Sequence, residues 1–340
     1  MQALLRCVEC PDRPPLAADG DQLRCPVGHE FLVVGGVPRM LRRALRDRIG
    51  GSVRAGDATI EMKRRTAASF GYEWRHFAEL RPEWEQNFLA YMAPRGHAFF
   101  PGKLVLDAGA GTGRHAYYAA RDDADVVAVD IGPAVDVARL NTVDLPNVLA
   151  VQADLYDLPF AEGTFDFVYS IGVLHHLPDP PAAFRELLRV LRPGGEVAVY
   201  LYGRPGPGIR RALLSIVGAA RQVTTRLPHR VLHWLAYPIA GAGWLFFVLP
   251  ARALSLVPAL RHVAASFPLA AYAAYPFAVC VNDQFDRFSA PIERRYTDTE
   301  VRDWLVSEGL SEVEVRPNWG WVGSGRKVAV LASDAPVADI

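Results

Sequence analysis

From Lys103 to Tyr202 the apolar positions come in short unbroken runs, separated by stretches where they recur every three or four residues. The runs LVLDAG, VVAVDI, VLAVQADL, FDFVYSIGVL and EVAVYLY predict strands buried on both faces, and the stretches between them suit crossover helices. Upstream, from Thr59 to Ala93, Phe70, Trp74, Phe77, Trp84, Phe88 and Tyr91 recur mostly at helical spacing. Downstream, TDTEVRDWLVSEG predicts a helix in which Thr297 and Glu300 fit a capping box, and EVEVRPNW and RKVAVLAS predict a closing antiparallel pair of strands. Together these predict an α/β fold with a doubly wound, mostly parallel, seven-stranded sheet.

Composition narrows this further. The chain has 340 residues, 51% hydrophobic and 22% charged, which excludes a disordered or low-complexity protein. Lys+Arg and Asp+Glu both total 37, so the molecule lacks the basic excess of most nucleic-acid binders. Met1 to Arg6 carries one positive charge and no long apolar core follows, so no secretory signal is expected. Four cysteines, three of them near the N-terminus, do not suit a disulfide scaffold, and the expected compartment is the cytoplasm. The expected units are residues 1–41, a linker at 42–58 rich in Arg and Gly, a main domain at 59–203 and 283–340, and an insertion at 204–282.

The densest chemical signal is Val105-Leu106-Asp107-Ala108-Gly109-Ala110-Gly111-Thr112-Gly113-Arg114, a strand that breaks into glycines ahead of a helix. Glycines let the backbone turn tightly and approach a ligand. Asp130 ends the next strand about twenty residues on, where a carboxylate accepts ribose hydroxyls, and Asp154 ends the third, within reach of an adenine amino group. Three acids at successive strand ends mark the carboxyl edge of the sheet as the binding edge. A dinucleotide dehydrogenase normally carries G-x-G-x-x-G, whereas Gly109, Gly111 and Gly113 run G-x-G-x-G.

DAGAGTGR, VDIG, QADLYDLPF, FDFVYSIGVLHHLPDP and LRPGG together resemble the class I S-adenosylmethionine-dependent methyltransferases, over about Phe70 to Gly203 and the C-terminal strands. The resemblance implies a Rossmann-like domain holding S-adenosylmethionine through Asp107, Gly109, Ala110, Gly111, Gly113, Asp130, Ile131, Asp154, Leu155 and Ser170. The segment Phe70-Gly71-Tyr72-Glu73-Trp74 resembles a cofactor-covering segment of related enzymes, so Tyr72 either contacts the methionine end or belongs to an aromatic core face. His175 and His176 follow the fourth strand on the methyl side. In similar small-molecule O-methyltransferases a His of this motif is a general base; the alternative is that the pair only packs the loop.

Cys7-x2-Cys10 and Cys25-x3-His29 supply three thiolates and an imidazole, a closed ligand set for structural zinc. With His29-Glu30-Phe31 and the run Gly35 to Leu41 they resemble the zinc ribbons of some rRNA guanine methyltransferases and of small partner proteins that activate other methyltransferases.

Between Arg204 and Asn282 there is no Asp or Glu, while Arg204, Arg210, Arg211, Arg221, Arg226, Arg230, Arg252 and Arg261 all fall there. Val231 to Ala251 and Val263 to Val281 are uncharged apolar stretches near the roughly 20 residues of a bilayer span. Pro238, Pro250, Pro268 and Pro276 predict short helices in their place. The insertion is then either a lid over a bulky apolar substrate or a peripheral contact with the inner face of an anionic membrane. Both point to methylation, at oxygen or carbon, of a hydrophobic small molecule or lipid-like acceptor. Asp283, Asp286 and Tyr296, just beyond it, resemble a substrate-side element of other bacterial methyltransferases. An RNA methyltransferase using the zinc ribbon is the alternative, with the neutral charge against it. A non-enzymatic cofactor-binding subunit is a third, and the intact DAGAGTGR argues against that.

Overall fold

In the computed structural model, which describes residues 1–49 and 58–329, the chain begins as a small antiparallel sheet. Its strands β1 (Ala17–Asp19), β2 (Gln22–Arg24), β3 (Glu30–Val34) and β4 (Val37–Pro38) pair in sequence order. The expected linker is helical where it is described: Arg43–Ile49 forms α1, with Leu45 buried, and 50–57 lie outside the described residues. The segment RALRDRI is made mostly of good helix formers and holds no glycine, the glycines of the expected linker lying in 50–57. Two helices follow, α2 (Ala58–His76) and α3 (Glu83–Met92).

The main domain then alternates β5 (Leu104–Ala108), α4 (Arg114–Arg121), β6 (Asp125–Asp130), α5 (Ala134–Asn141), β7 (Val148–Gln152), β8 (Phe165–Ile171), α6 (Pro180–Val190) and β9 (Leu191–Leu201). The insertion holds α7 (Ile209–Thr224), α8 (His229–Gly243), α9 (Leu249–Ser255) and α10 (Arg261–Ser266); α11 (Phe277–Ser289) returns the chain. The end of the expected insertion, residue 282, thus falls inside α11. Helix α12 (Asp298–Ser307), with the Thr297 and Glu300 capping box formed, leads to β10 (Leu310–Pro317) and β11 (Trp321–Lys327).

The seven-stranded sheet has the order β10-β11-β9-β8-β5-β6-β7, with only β11 running antiparallel to its neighbours. The chain winds outward from β5 to β7 and then crosses to β8, so β5 and β8 meet at the topological switch point, where such sheets open a crevice. Alternate strand residues feed two apolar layers. Leu106, Ala108, Val127 and Val129 join α6 and α12, while Val105, Val126, Ala128 and Phe167 join α3 and α4.

Two expectations give way to tertiary contacts. The last strand was expected at RKVAVLAS but runs over WVGSGRK; Val328 and Ala329 are unpaired, and 330–333 lie outside the described residues. Its glycines decide this, because a Cβ on Gly323 would stand 2.8 Å from Leu305 and Val301, and one on Gly325 would stand 3.0 Å from Leu310. The expected break at Pro238 does not occur either: His229–Ser255 is one helical run of 27 residues. A π turn at Trp244–Val248 sits directly ahead of Pro250 and takes up the local distortion.

The N-terminal sheet is not a separate bead. Leu5, Val8, Leu23, Phe31 and Met40 share one core with Val129, Val151 and Phe160. Arg39 bridges in parallel to Gln152, and the Met40 amide donates to the Gln152 carbonyl at 2.7 Å. The open edge of the large sheet at β7 is therefore covered, which protects an otherwise unpaired strand.

Helix α2 lies across the switch point. A Cβ on Gly71 would meet Pro133 Cγ at 2.7 Å, whereas one on Gly218, in α7, would meet nothing within 4 Å. Gly218→Ala should therefore stabilise the protein by about 0.5–1 kcal/mol. Gly71→Ala should destabilise it, because overpacking of about 1–3 kcal/mol exceeds the same helical gain. Urea denaturation of the two variants reads the opposite signs, and equal shifts would refute the close seating of α2.

Candidate functional site

At the end of β5 the chain turns through Gly109, Ala110, Gly111, Thr112 and Gly113 into α4. The amides of Gly109 and Ala110 both donate to the Val129 carbonyl at 2.8 Å, folding the turn against β6. Gly109 has φ +88°, and a Cβ there would lie 2.4 Å from Val173; Gly111 has φ +54°, and its Cβ would lie 3.0 Å from Trp74 Nε1. Neither position accommodates a side chain.

Asp130, at the end of β6, accepts from the Gly132 amide at 2.8 Å and the Gly111 amide at 3.1 Å. Burial raises its pKa, and those two amides pull it partly back. No ion pair among the described residues involves it, so its remaining lone pairs are available to hydroxyl donors. Asp154, past the end of β7, accepts from the Tyr156 amide at 3.1 Å and from Lys63 Nζ at 2.6 Å. The Lys63 ammonium also sits 3.8 Å from the Tyr156 ring centroid.

These acids border a cleft of about 900 Å³, partly open to solvent, between α2 and the carboxyl edge of the sheet. Gly109, Ala110, Gly111, Asp130, Ile131, Asp154, Leu155 and His176 line it, with Phe70 and Trp74 as an aromatic wall. That mix of an aromatic wall with a few placed polar groups, at the switch point of the sheet, suits a nucleoside-bearing ligand. Glycines too close to their neighbours for a side chain and a carboxylate held by backbone amides fit S-adenosylmethionine.

Other expected residues lie behind this surface. Asp107 is 1% exposed; burial lifts its pKa to about 7, the Tyr169 hydroxyl beside it offsets part of that rise, and one of its carboxylate oxygens has no partner. Ser170 is buried and donates to the Ala108 carbonyl at 2.8 Å, and Gly113 packs on Ala138. Tyr72 points to the far side of α2, stacked on His76 and Phe285 rather than into the cleft. It lies two residues from both Phe70 and Trp74, about half a helical turn, and so on the opposite face of α2.

The histidine pair divides in the same way. His175 is fully buried with both ring nitrogens unpartnered; burial, then the neighbouring His176, drives its pKa well down, so it stays neutral, 3.9 Å from the Tyr202 ring centroid. His176 lines the cleft, and its Nδ1 is 2.6 Å from the Ile292 carbonyl. A carbonyl only accepts, so Nδ1 carries the proton and, in the neutral ring, Nε2 keeps its lone pair. Asp283 accepts from the Tyr272 hydroxyl at 2.6 Å and Asp286 from the Tyr202 hydroxyl at 3.0 Å. Tyr296 serves structure: its backbone bonds Tyr202 and Arg204, and its ring stacks on Trp304.

Lys63 and Arg114 were not anticipated as site residues, and within the expected cofactor-covering segment it is Phe70 and Trp74, not Tyr72, that line the cleft. Residues 63, 66, 67, 70 and 74 recur at helical spacing, which is the signal that groups them on one face.

At the N-terminus, Cys7, Cys10, Cys25 and His29 bring their ligand atoms within 4.8 Å of one another. Cys10 Sγ to Cys25 Sγ is 3.9 Å, and His29 Nδ1 is 3.6, 3.3 and 3.5 Å from the sulfurs of Cys7, Cys10 and Cys25. A tetrahedron with zinc bonds of about 2.3 Å to sulfur and 2.0 Å to nitrogen has edges of roughly 3.5–3.8 Å. The quartet fits that ion with no open position.

Residues 106–199 match the family model described as a methyltransferase domain. The chain is 33% identical over 177 residues to a ubiquinone biosynthesis O-methyltransferase of Hahella chejuensis, covering 51% of this chain and 73% of that protein. It is 36% identical over 106 residues to a probable tRNA methyltransferase 9B of Homo sapiens, covering 30% of this chain and 22% of that protein. A solved S-adenosylmethionine-dependent methyltransferase from Aquifex aeolicus aligns with TM-score 0.43 and 15% identity, over 76% of this chain and 98% of that one.

Proposed function

Because the chain belongs to the class I S-adenosylmethionine-dependent methyltransferases, we propose that it methylates an oxygen or carbon of an amphipathic, lipid-like small molecule. The observation that carries this is the placement of a basic, acid-free, largely apolar insertion beside the cofactor cleft. A relative of which this chain covers 73% is named for O-methylation in ubiquinone biosynthesis, which supports a small-molecule acceptor over RNA. The arginines of the N-terminal sheet that face the main domain are engaged there, Arg13 and Arg42 with Asp157 and Arg39 with Asp136, which leaves them unsuited to phosphate contacts.

Bound in the cleft, the cofactor supplies an electrophilic methyl group. Asp130 holds its ribose, Asp154 and Lys63 border its adenine, and Phe70 and Trp74 exclude water from above. His176 Nε2 accepts the proton that a hydroxyl acceptor must lose. Asp130→Ala should weaken cofactor binding by about 1.5–3 kcal/mol in calorimetry. His176→Ala should leave that affinity unchanged and lower turnover on a hydroxyl acceptor by about 10²–10⁴-fold. Labelled methyl groups should pass from the cofactor to a total lipid extract; labelling of total RNA in its place would overturn the acceptor assignment.

The quartet of Cys7, Cys10, Cys25 and His29 holds structural zinc in this reading. Metal analysis should find one equivalent per chain, and Cys7→Ser should lose it together with thermal stability; a metal-free, equally stable wild type would refute the site.

The insertion is the peripheral membrane contact. Within the run His229–Ser255 an 18-residue window has mean hydropathy 1.5, and only 28% of that window is buried. Leu232, Ala236, Ala240 and Val248 pack inward, whereas Trp234, Leu245, Phe246 and Leu256 are 58–82% exposed. Arg226, Arg230 and Arg261 are exposed nearby, and apolar side chains flanked by arginine suit an anionic lipid face. Association with phosphatidylglycerol vesicles should exceed that with phosphatidylcholine vesicles, fall with salt, and be lost on substituting Trp234, Phe246 and Leu256 by Ala. Equal partitioning into both vesicle types, or none, would refute it.

A further inference from the structure

A groove of about 920 Å³, open to solvent, lies between α7 of the insertion and residues 291–296, the segment that follows α11. Its lining holds Arg204, Arg211, Arg221, Arg294 and Arg295 against Glu293 and Glu300, so five cations oppose two anions and leave a net charge of +3. Leu214, Val217, Pro205 and Pro291 supply apolar lining between the charges. The groove backs onto the histidine loop: the Arg294 amide donates to the His175 carbonyl at 3.0 Å, and its guanidinium donates to the carbonyls of Leu177 and Pro178, two residues of the cofactor cleft.

Both acids are already engaged within the protein. Glu293 pairs with Arg221 and with Arg295, while Glu300 pairs with Arg204 at 2.9 Å and accepts from the Thr297 amide at 2.7 Å. The Arg211 side chain is exposed and has no hydrogen bond or ion pair among the described residues. Arg294 meets only neutral carbonyls and likewise has no ion pair among them. Unbalanced cations thus line both walls, Arg211 on α7 and Arg294 opposite, and an anion between them removes their mutual repulsion. Guanidinium forks match the oxygens of a phosphate in particular.

The outer face of α7 says which phosphate. Ala212, Ile216, Ala219 and Val223 recur there at helical spacing and are all exposed. Arg211, Ser215 and Gln222, which line the groove, each precede one of them, about 100° around the helix. We propose that the groove binds one anionic phospholipid, its phosphate between Arg211 and Arg294 and its acyl chains along this stripe. The proposal rests on the membrane-contact reading and gives that contact a defined headgroup site behind the loop of His176. RNA fits the groove less well, because its two aromatic rings, Tyr296 and Trp304, stack on each other at 6.1 Å and are not free to receive bases.

Dihexanoyl phosphatidylglycerol, used below its micellar concentration, presents head and tails without a bilayer. Calorimetry on the full-length protein should show one molecule bound per chain, at least about tenfold tighter than dihexanoyl phosphatidylcholine or glycerol 3-phosphate. Arg211→Gln should weaken this binding by about fivefold or more. Gly218→Phe, which puts a ring into the groove from a position with open space around it, should weaken it by about tenfold or more. Arg226→Gln, on an exposed residue beyond the groove, should change it by less than about twofold. S-adenosylmethionine affinity within about twofold of wild type reports that the variants are folded. Glycerol 3-phosphate binding as tightly as the lipid would make this a free phosphate site and overturn the lipid assignment, and tighter binding of oligouridylate in competition with the lipid would overturn it in favour of RNA. Equal binding of the two lipids, equal losses for Arg211→Gln and Arg226→Gln, or no lipid binding at millimolar concentration also refutes it. The variant with Trp234, Phe246 and Leu256 replaced by Ala should lose vesicle association yet keep this binding. A wild-type protein that binds the monomeric lipid but no vesicle counts against the membrane contact and not against the groove, so the two failures are distinguishable.

Discussion

The seating of α2 on the turn after β6 is the contact on which both halves of the site depend. Gly71 lets the helix approach the Pro133 ring, and a Cβ on Gly132 would stand 3.1 Å from the Ala67 carbonyl, so the two backbones run at the limit of close packing. At that separation Trp74 closes over Gly111 and Lys63 reaches Asp154. The adjacent face of the same helix carries Glu73, and Ser69 is fixed to Ser289 of α11 by a 2.8 Å hydrogen bond. One helix thus forms a wall of the cofactor cleft and anchors the returning helix of the insertion. A shift of about 1 Å would misplace both sets of groups, and positioning errors of that size are costly in a transfer reaction.

The opposite edge of the sheet is governed by the N-terminal unit. The loop carrying Asp154 is held on both sides by it: Gln152 by the Met40 amide, and Asp157 by the guanidinium groups of Arg13 and Arg42. These ion pairs are partly buried and converge on one carboxylate, a geometry worth more than isolated surface pairs. A small sheet too short for its own core gains one by sharing Leu5, Phe31 and Met40 with the main domain. Zinc held by the proposed cysteine and histidine quartet would stiffen the turns that keep those side chains in place.

Much of this was legible in the sequence because the responsible constraints are local. The glycine turn, the acids at three strand ends and the capping box at Thr297 and Glu300 are each set within a few residues, and the structure forms them there. The direction of Tyr72, the reach of Lys63 and the burial of Asp107 beneath the turn depend on how α2 and β8 pack. Spacing along the chain groups residues on a helix face without saying which face meets the ligand. The position of β11 was missed for the same reason. RKVAVLAS has the stronger strand propensity, but the glycines of WVGSGRK are what allow Leu305 and Leu310 to approach.

The insertion is unusual in being apolar on two sides. A surface helix ordinarily keeps its outer face polar, and one that is hydrophobic all round is ordinarily buried. Here the inner side of His229–Ser255 packs on α11, and the outer side leaves Trp234 and Phe246 exposed. The acid-free composition of 204–282 fits the proposed membrane contact, since a carboxylate on the outer face would oppose an anionic surface. The acids that the insertion lacks reappear immediately beyond residue 282 on α11. There the apolar Val281, Phe285 and Phe288 are buried, while Asp283 and Asp286 are half-buried and accept from the Tyr272 and Tyr202 hydroxyls, so each carboxylate at this boundary is met by a hydroxyl donor.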